Sequence, residues 1–564
     1  MPPSGRLARQ FDEFLAPVFQ EFSGERVIER IRRKDHRLWK AEPTEITNRL
    51  GWLDLPTTMQ EQLSAIRDCV GAVRDAGIRD VVLLGMGGSS LGPEVLRASF
   101  DSARGFPRLW VLDSTVPQWI RSVSGAIQPA KTLFLVSSKS GGTIEVLSLF
   151  AHFWDLVGKT KGSRGGQQFI AITDPGTSLE RMAKEHDFLK VFCNPPDIGG
   201  RYSVLSFFGL VPAALMGLDV KRLLDRAAAM ADRCGVDDPA SNPGAYLGAA
   251  MGKFATSGRD KVTIFASPAI STFGLWAEQL LAESTGKEGT GLVPVAQEPI
   301  CSPHAYGDDR FFVYLRLRGD ANQRLDRQVL ALARSHHPVI QYDLQDRYDL
   351  GAEFFRWEYA TAVAGHVLKI HPFDQPNVQE SKDNTARVLA SLNSSGQLPE
   401  QKAATPRQAA AALSIHLKAG SSYLAILAYT APSRSFERAV ARFRASAISR
   451  YHIATTSGYG PRYLHSTGQL HKGGPPSGVF LELVDRMKPD LPIPGKPFTF
   501  GTLAKAQAAG DLESLSAHNR AAFRINLGRD PSATVEALGR AFGLPTPSRK
   551  RTKSSTRRKH AGRR

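Results

Sequence analysis

Apolar residues Phe11, Phe14, Leu15, Val18 and Phe19 recur at helical spacing, and residues 1–60 read as an N-terminal helical segment. Beyond it the pattern changes to short, unbroken apolar runs alternating with longer helical stretches. Val81–Leu84, Leu109–Leu112, Thr132–Val136 and Phe169–Ile172 form the first set. Such runs are strands buried on both faces, and their alternation with helices predicts a doubly wound parallel sheet over 61–235. A second α/β unit is expected over 236–390, with strands at Val262–Phe265, Phe311–Leu317 and Val339–Tyr342. The polar, proline-containing stretch 391–407 reads as a linker. A third unit, over 408–545, has strand Tyr423–Tyr429, helix Ser433–Ala447 and strand His452–Thr455, spaced like strand 311–317, helix 322–335 and strand 339–342 of the second. The fold class expected is therefore α/β, built of doubly wound parallel-sheet units, the third an internal duplicate.

Composition adds limits. At 564 residues the chain exceeds what one core holds, and 42% hydrophobic residues supply several. The four cysteines stand apart without CxxC spacing, which argues against a disulfide framework or a zinc site and for a reducing compartment. The N-terminus is charged, and the longest apolar stretch, Leu205–Leu218, is short and broken by Pro212. A soluble, cytoplasmic protein without membrane contact is expected. Net charge is +18, but the last 17 residues hold nine Lys/Arg and no acid. That basic tail, 546–564, is expected to be disordered, with weak contact to nucleic acid or anionic surfaces as its one partner chemistry.

Candidate chemistry sits on loops. Gly85-Met86-Gly87-Gly88-Ser89-Ser90 follows the first strand, and Ser137-Ser138-Lys139-Ser140-Gly141-Gly142-Thr143 follows the third. Neither is a nucleotide fingerprint, since Ser90 replaces the third glycine of GxGxxG and the second is not GxxxxGK[ST]. Each alone reads equally as a tight turn, but together, at the carboxyl ends of parallel strands, they favour a small phosphorylated ligand. Gly199-Gly200-Arg201-Tyr202-Ser203 adds a cation suited to an oxyanion. A helix over Ser271–Ala282 places Gln279 and Glu283 on one face, before a sharp turn at Glu283-Ser284-Thr285-Gly286-Lys287.

These tracts, with Phe373-Asp374-Gln375-Pro376-Asn377-Val378-Gln379-Glu380-Ser381-Lys382, occur in the order found in the phosphoglucose isomerase family, and the chain resembles that family over about residues 60–390. The resemblance implies SIS-type sugar-isomerase domains and cofactor-free, metal-free interconversion of glucose 6-phosphate and fructose 6-phosphate, in glycolysis and gluconeogenesis. It implies a phosphate cradle of Ser138, Lys139, Ser140 and Thr143. Gly88, Ser89, Gln279 and Gln375 would line the sugar. Arg201 would stabilise the enediolate, Glu283 would move the proton between C1 and C2, and Lys382 would assist ring opening.

One departure stands out. The bacterial branch carries a Leu-His-Ser-x-Gly-Gln motif about twenty residues after the glutamate, where this chain has Pro303-His304-Ala305. The motif appears instead at Leu464-His465-Ser466-Thr467-Gly468-Gln469, in a tract resembling the isomerase half of fused transaldolase–isomerase proteins. His465 is therefore expected to open the sugar ring, with His471 and His304 as competitors. Members of the family are commonly homodimers, a state that a duplicated unit could replace. Two further readings are a non-enzymatic phosphosugar sensor and an isomerase that also takes mannose 6-phosphate.

Overall fold

The computed structural model describes residues 11–395, 398, 401–417 and 422–543. The expected basic tail, 546–564, lies outside the described residues. Three parallel sheets organise the rest. The first comprises β1 (Asp80–Gly85), β2 (Arg108–Leu112), β3 (Thr132–Ser137), β4 (Phe169–Thr173) and β5 (Lys190–Cys193), in spatial order β2-β1-β3-β4-β5. The second holds β6 (Lys261–Ala266), β7 (Val293–Ala296), β8 (Arg310–Leu317) and β9 (Val339–Leu344), in order β7-β6-β8-β9. The third holds β10 (Tyr423–Tyr429), β11 (Ala454–Tyr459), β12 (Gly478–Val484) and β13 (Ala521–Asn526), in order β11-β10-β12-β13.

Each sheet is covered on both faces, as the apolar runs require. Along β1, Val81 and Leu83 enter one core while Val82 and Leu84 enter another. Along β10, Leu424 and Ile426 face one core and Tyr423, Ala425 and Leu427 the next. Period-2 alternation thus separates two buried faces even where no polar residue marks the pleat. Near the N-terminus the helix Asp12–Gly24 buries Leu15, Val18 and Phe22, and Phe14 stacks on Phe254 at 4.9 Å.

Several expectations shift. The strand expected at His452–Thr455 begins at Ala454, because the preceding helix runs on through Arg434–Tyr451 and ends with His452 in the left-handed region (φ 55°). The linker expected over 391–407 begins inside the helix Pro376–Ser395 and ends inside the helix Pro406–His416. The internal correspondence also needs correction. Strand β8 is third in its sheet whereas β10 is first, so β10–helix–β11 matches β6–helix–β7 instead. Similar spacing misled because the steps β6–β7, β8–β9 and β10–β11, starting at Lys261 and Val293, Arg310 and Val339, and Tyr423 and Ala454, are nearly equal in length.

The second and third sheets meet along their equivalent edges. Glu298, just past β7, accepts from the Thr455 backbone N–H at 2.7 Å and hydroxyl at 3.0 Å. Arg310 donates to the Ile453 carbonyl at 2.9 Å and pairs with Glu298 at 3.1 Å, both side chains at 0% exposure. Among the described residues no helix is long and apolar enough to cross a membrane.

Candidate active site

The glycine-rich loop after β1 is where three segments close on one another. Gly87 has φ +54°, and a Cβ there would lie 2.6 Å from the His465 carbonyl oxygen; one at Gly88 would lie 1.9 Å from that of Gly200. Only glycine lets these backbones approach so closely. Ser89 is buried beside them.

The helix carrying the carboxylate runs Phe273–Thr285, longer than expected, so Glu283 sits in its last turn rather than past its end. Its Oε2 accepts from Gln279 Nε2 at 3.3 Å and lies 3.6 Å from Arg201 Nη1. Burial raises the Glu283 carboxyl above its ordinary range, while Arg201, then His465, pull it back. Arg201 is held from every side. It donates to Ser284 Oγ at 2.8 Å, Gln375 Oε1 at 2.7 Å, and the carbonyls of Pro372 and Asp374 at 2.9 and 3.0 Å. A guanidinium fixed this way presents positive charge without reorganising.

His465 arrives from the turn after β11. Arg462 anchors that turn to the first sheet through a bidentate pair with Asp113, at 2.7 and 2.8 Å. Gln279 Nε2 donates to the His465 carbonyl at 2.9 Å, tying the histidine to the glutamate's own helix. The imidazole Nε2 lies 2.8 Å from Glu145 Oε1, which also accepts from Gln507 Nε2 at 2.7 Å. Burial pushes the Glu145 carboxyl up, but His465 and, more weakly, Lys382 outweigh it and leave it below the ordinary range.

A cavity of about 210 Å³ opens here, lined by Ser140, Thr143, Glu145, Lys382, His465 and Gln507 among others. The Thr143 hydroxyl is bonded to that of Ser138 at 2.9 Å and does not cap the helix Ile144–Lys161. The first-turn N–H groups therefore lack a side-chain cap and are suited to an anion. Lys139 does not line this cavity. Its ammonium pairs with Asp174, and the loop turns it toward Pro196.

The structure thus brings Ser140, Thr143, Lys382 and His465 to one cavity, with Gly88, Ser89, Arg201, Gln279, Glu283 and Gln375 on the adjoining side. His471 is elsewhere, buried 5.0 Å from the Phe480 ring, with burial holding it well below the usual histidine range. His304 lies exposed in the turn after β7. Sequence reasoning missed Glu145, Gln507 and Lys287. Glu145 stands two residues after the Gly-Gly-Thr tract and was within reach of a motif argument; Gln507, on an alanine-rich helix, carried no local signal. Burial brings the Lys287 ammonium down to about 7 although it is paired with Asp374. Among the described residues no group of three His, Cys, Asp or Glu side chains could hold a metal ion.

Comparison with known proteins identifies relatives of the chain. Residues 53–300 match the family described as Phosphoglucose isomerase. A glucose-6-phosphate isomerase of Rubrobacter xylanophilus is 31% identical over 394 residues, covering 61% of this chain and 90% of that protein. One of Carboxydothermus hydrogenoformans is 28% identical over 395 residues, covering 60% and 85%. Among solved structures, a hypothetical protein from Thermus thermophilus superposes with TM-score 0.57 at 26% identity, over 67% of this chain and 98% of its own. A glucose-6-phosphate isomerase from Chlamydia trachomatis shares the fold, with TM-score 0.58 at 18% identity, over 67% and 86%. With this similarity spanning nearly the whole of such a relative, the chain belongs to the phosphoglucose isomerase family.

Proposed function

We propose that the chain interconverts glucose 6-phosphate and fructose 6-phosphate through an enediol intermediate, acting in the cytoplasm. The observation that carries the reading is the buried Glu283 carboxylate, 3.6 Å from a fully tethered Arg201 and linked through Gln279 to the histidine loop. Aldose–ketose isomerisation needs one base near two carbons and a fixed cation where negative charge develops. Glu283 takes the proton from C2 and returns it to C1, while Arg201 offsets the charge on the enediolate oxygen. His465 passes a proton to the ring oxygen, and the Glu145 carboxylate holds its imidazole in orientation, with Lys382 beside them. Ser140, Thr143 and the open N–H groups of the 144–161 helix receive the phosphate. Every group in this scheme comes from one chain, the histidine from the third sheet and the base from the second.

The test is a coupled assay on purified protein, supplying fructose 6-phosphate and following glucose 6-phosphate. Steady turnover is expected. Binding of the sugar phosphate without turnover would mark a sensor and overturn the reading.

A further inference from the structure

Away from the catalytic cavity, the carboxyl ends of β12 and β13 border a second cavity of about 480 Å³. That volume lies within the roughly 300–1,000 Å³ of small-molecule sites. It lies beyond the carboxyl ends of parallel strands, the end of an open α/β sheet at which ligands bind. Arg486, Lys488 and Lys505 line it with exposed side chains, and among the described residues none of the three has an ion-pair partner. Arg524 lies deeper, 6% exposed. Its Nε donates to Glu482 Oε2, but its Nη2 is buried with no hydrogen-bond partner among the described residues. A buried N–H left unpaired is costly, and a guanidinium calls for an anionic oxygen.

Two acids among the described residues stand beside this cluster: Asp485, which also lines the cavity, and Glu482, paired with Arg524. Asp485 is committed to its own loop, accepting from the Thr430 hydroxyl at 2.8 Å and the Arg486 backbone N–H at 2.6 Å. Burial raises the Glu482 carboxyl against the pull of Arg524, and its one hydrogen bond leaves Arg524 Nη2 unengaged. Among the described residues no aromatic ring lines the cavity to stack on a base. The carboxamides of Gln401 and Asn526 suit hydroxyl groups instead.

We infer that this cavity is a second sugar-phosphate site, separate from the catalytic one. Arg486, Lys488, Lys505 and Arg524 hold the phosphate, and Gln401 and Asn526 hold the polyol. The helix Phe500–Ala517 connects the two sites, presenting Lys505 here and Gln507 to Glu145 in the catalytic cavity.

Isothermal titration of the full chain with sorbitol 6-phosphate, which has no carbonyl to isomerise, tests the inference. The doubly substituted Arg486→Glu/Lys505→Glu protein, altered only at exposed positions, is expected to bind one equivalent fewer than the parent while keeping its isomerase kcat and KM. An equal number bound by both proteins overturns the site. Inorganic phosphate is the second probe. It is expected to bind in the same variant-sensitive way but about ten-fold more weakly, having no hydroxyls for the carboxamides. Equal affinity for the two probes would overturn the sugar assignment and leave a site for free phosphate.

Discussion

The loops after β7 and β11 occupy equivalent places, each leaving the edge strand that is second along the chain in a sheet of the same strand order. Each carries a histidine, yet only one reaches the site. The loop after β7 folds back over its own sheet: Tyr306 packs on Phe312 at 5.3 Å, the Pro303 carbonyl lies 3.1 Å from His337 Nε2, and His304 faces solvent. The loop after β11 crosses to the first sheet, held by the Arg462–Asp113 pair and by the close approach that Gly87 permits. Equivalence of position therefore does not confer equivalence of role. What differs is the neighbour that each loop meets: the loop after β11 reaches the glycine-rich loop, while the second unit reaches it through Gln279 on its helix.

The strongest challenge to this division is to remove the base. Glu283→Gln is expected to lower turnover by at least about 10²–10⁴-fold with the fold intact. Exchange of the C2 proton with solvent checks it; exchange at the parental rate would assign the chemistry elsewhere. The seam that joins the two equivalent edges is the next target. Glu298→Ala leaves Arg310 buried without its carboxylate, and a loss of about 3–5 kcal/mol is expected in urea unfolding. A loss under about 1 kcal/mol, the range of surface pairs, would show that the edges do not depend on this contact.

The histidines test the comparison itself. His465→Asn should cut activity by about 10²-fold on cyclic substrate and far less on an analogue that cannot close its ring. His304→Asn should leave both rates near parental. His471→Asn should lower thermal stability without separating the two substrates. Equal impairment of His465→Asn on both forms would remove it from ring opening.

A smaller effect is expected in the pH profile. Glu283 must be ionised to act as a base, and burial raises its carboxyl, so activity should rise with pH along a limb lying above the ordinary glutamate value of about 4.3. Gln279→Ala removes a hydrogen bond to the ionised form and should move that limb higher. A downward shift would contradict the geometry. The smallest effect belongs to the tail: truncation after Pro547 removes nine positive charges and should leave kcat and KM unchanged.

Much of this was legible without coordinates. Unbroken apolar runs such as Val81–Leu84 and Tyr423–Tyr429 announced sheets covered on both faces, because only a twice-buried strand can dispense with polar alternation. Glu283, Arg201 and the Ser140–Thr143 loop were visible because their tracts are local and ordered. Strands β5, β7, β12 and β13 were not assigned; β5 is only four residues long. Strand β7 contains Pro294, which a sheet edge tolerates, and β12 and β13 each carry an inward charge, Glu482 and Arg524, that becomes admissible only when the two face each other across the ladder. Local sequence thus determined the elements, the period of their burial and the loops bearing the chemistry. Tertiary structure alone decided that Lys139 turns to Asp174, which contacts tie His465, already singled out by its motif, to the helix of Glu283, and that Glu145 and Gln507 stand behind it. Each of those outcomes depends on a partner more than thirty residues away, and a contact at that distance leaves no trace in the spacing of either segment.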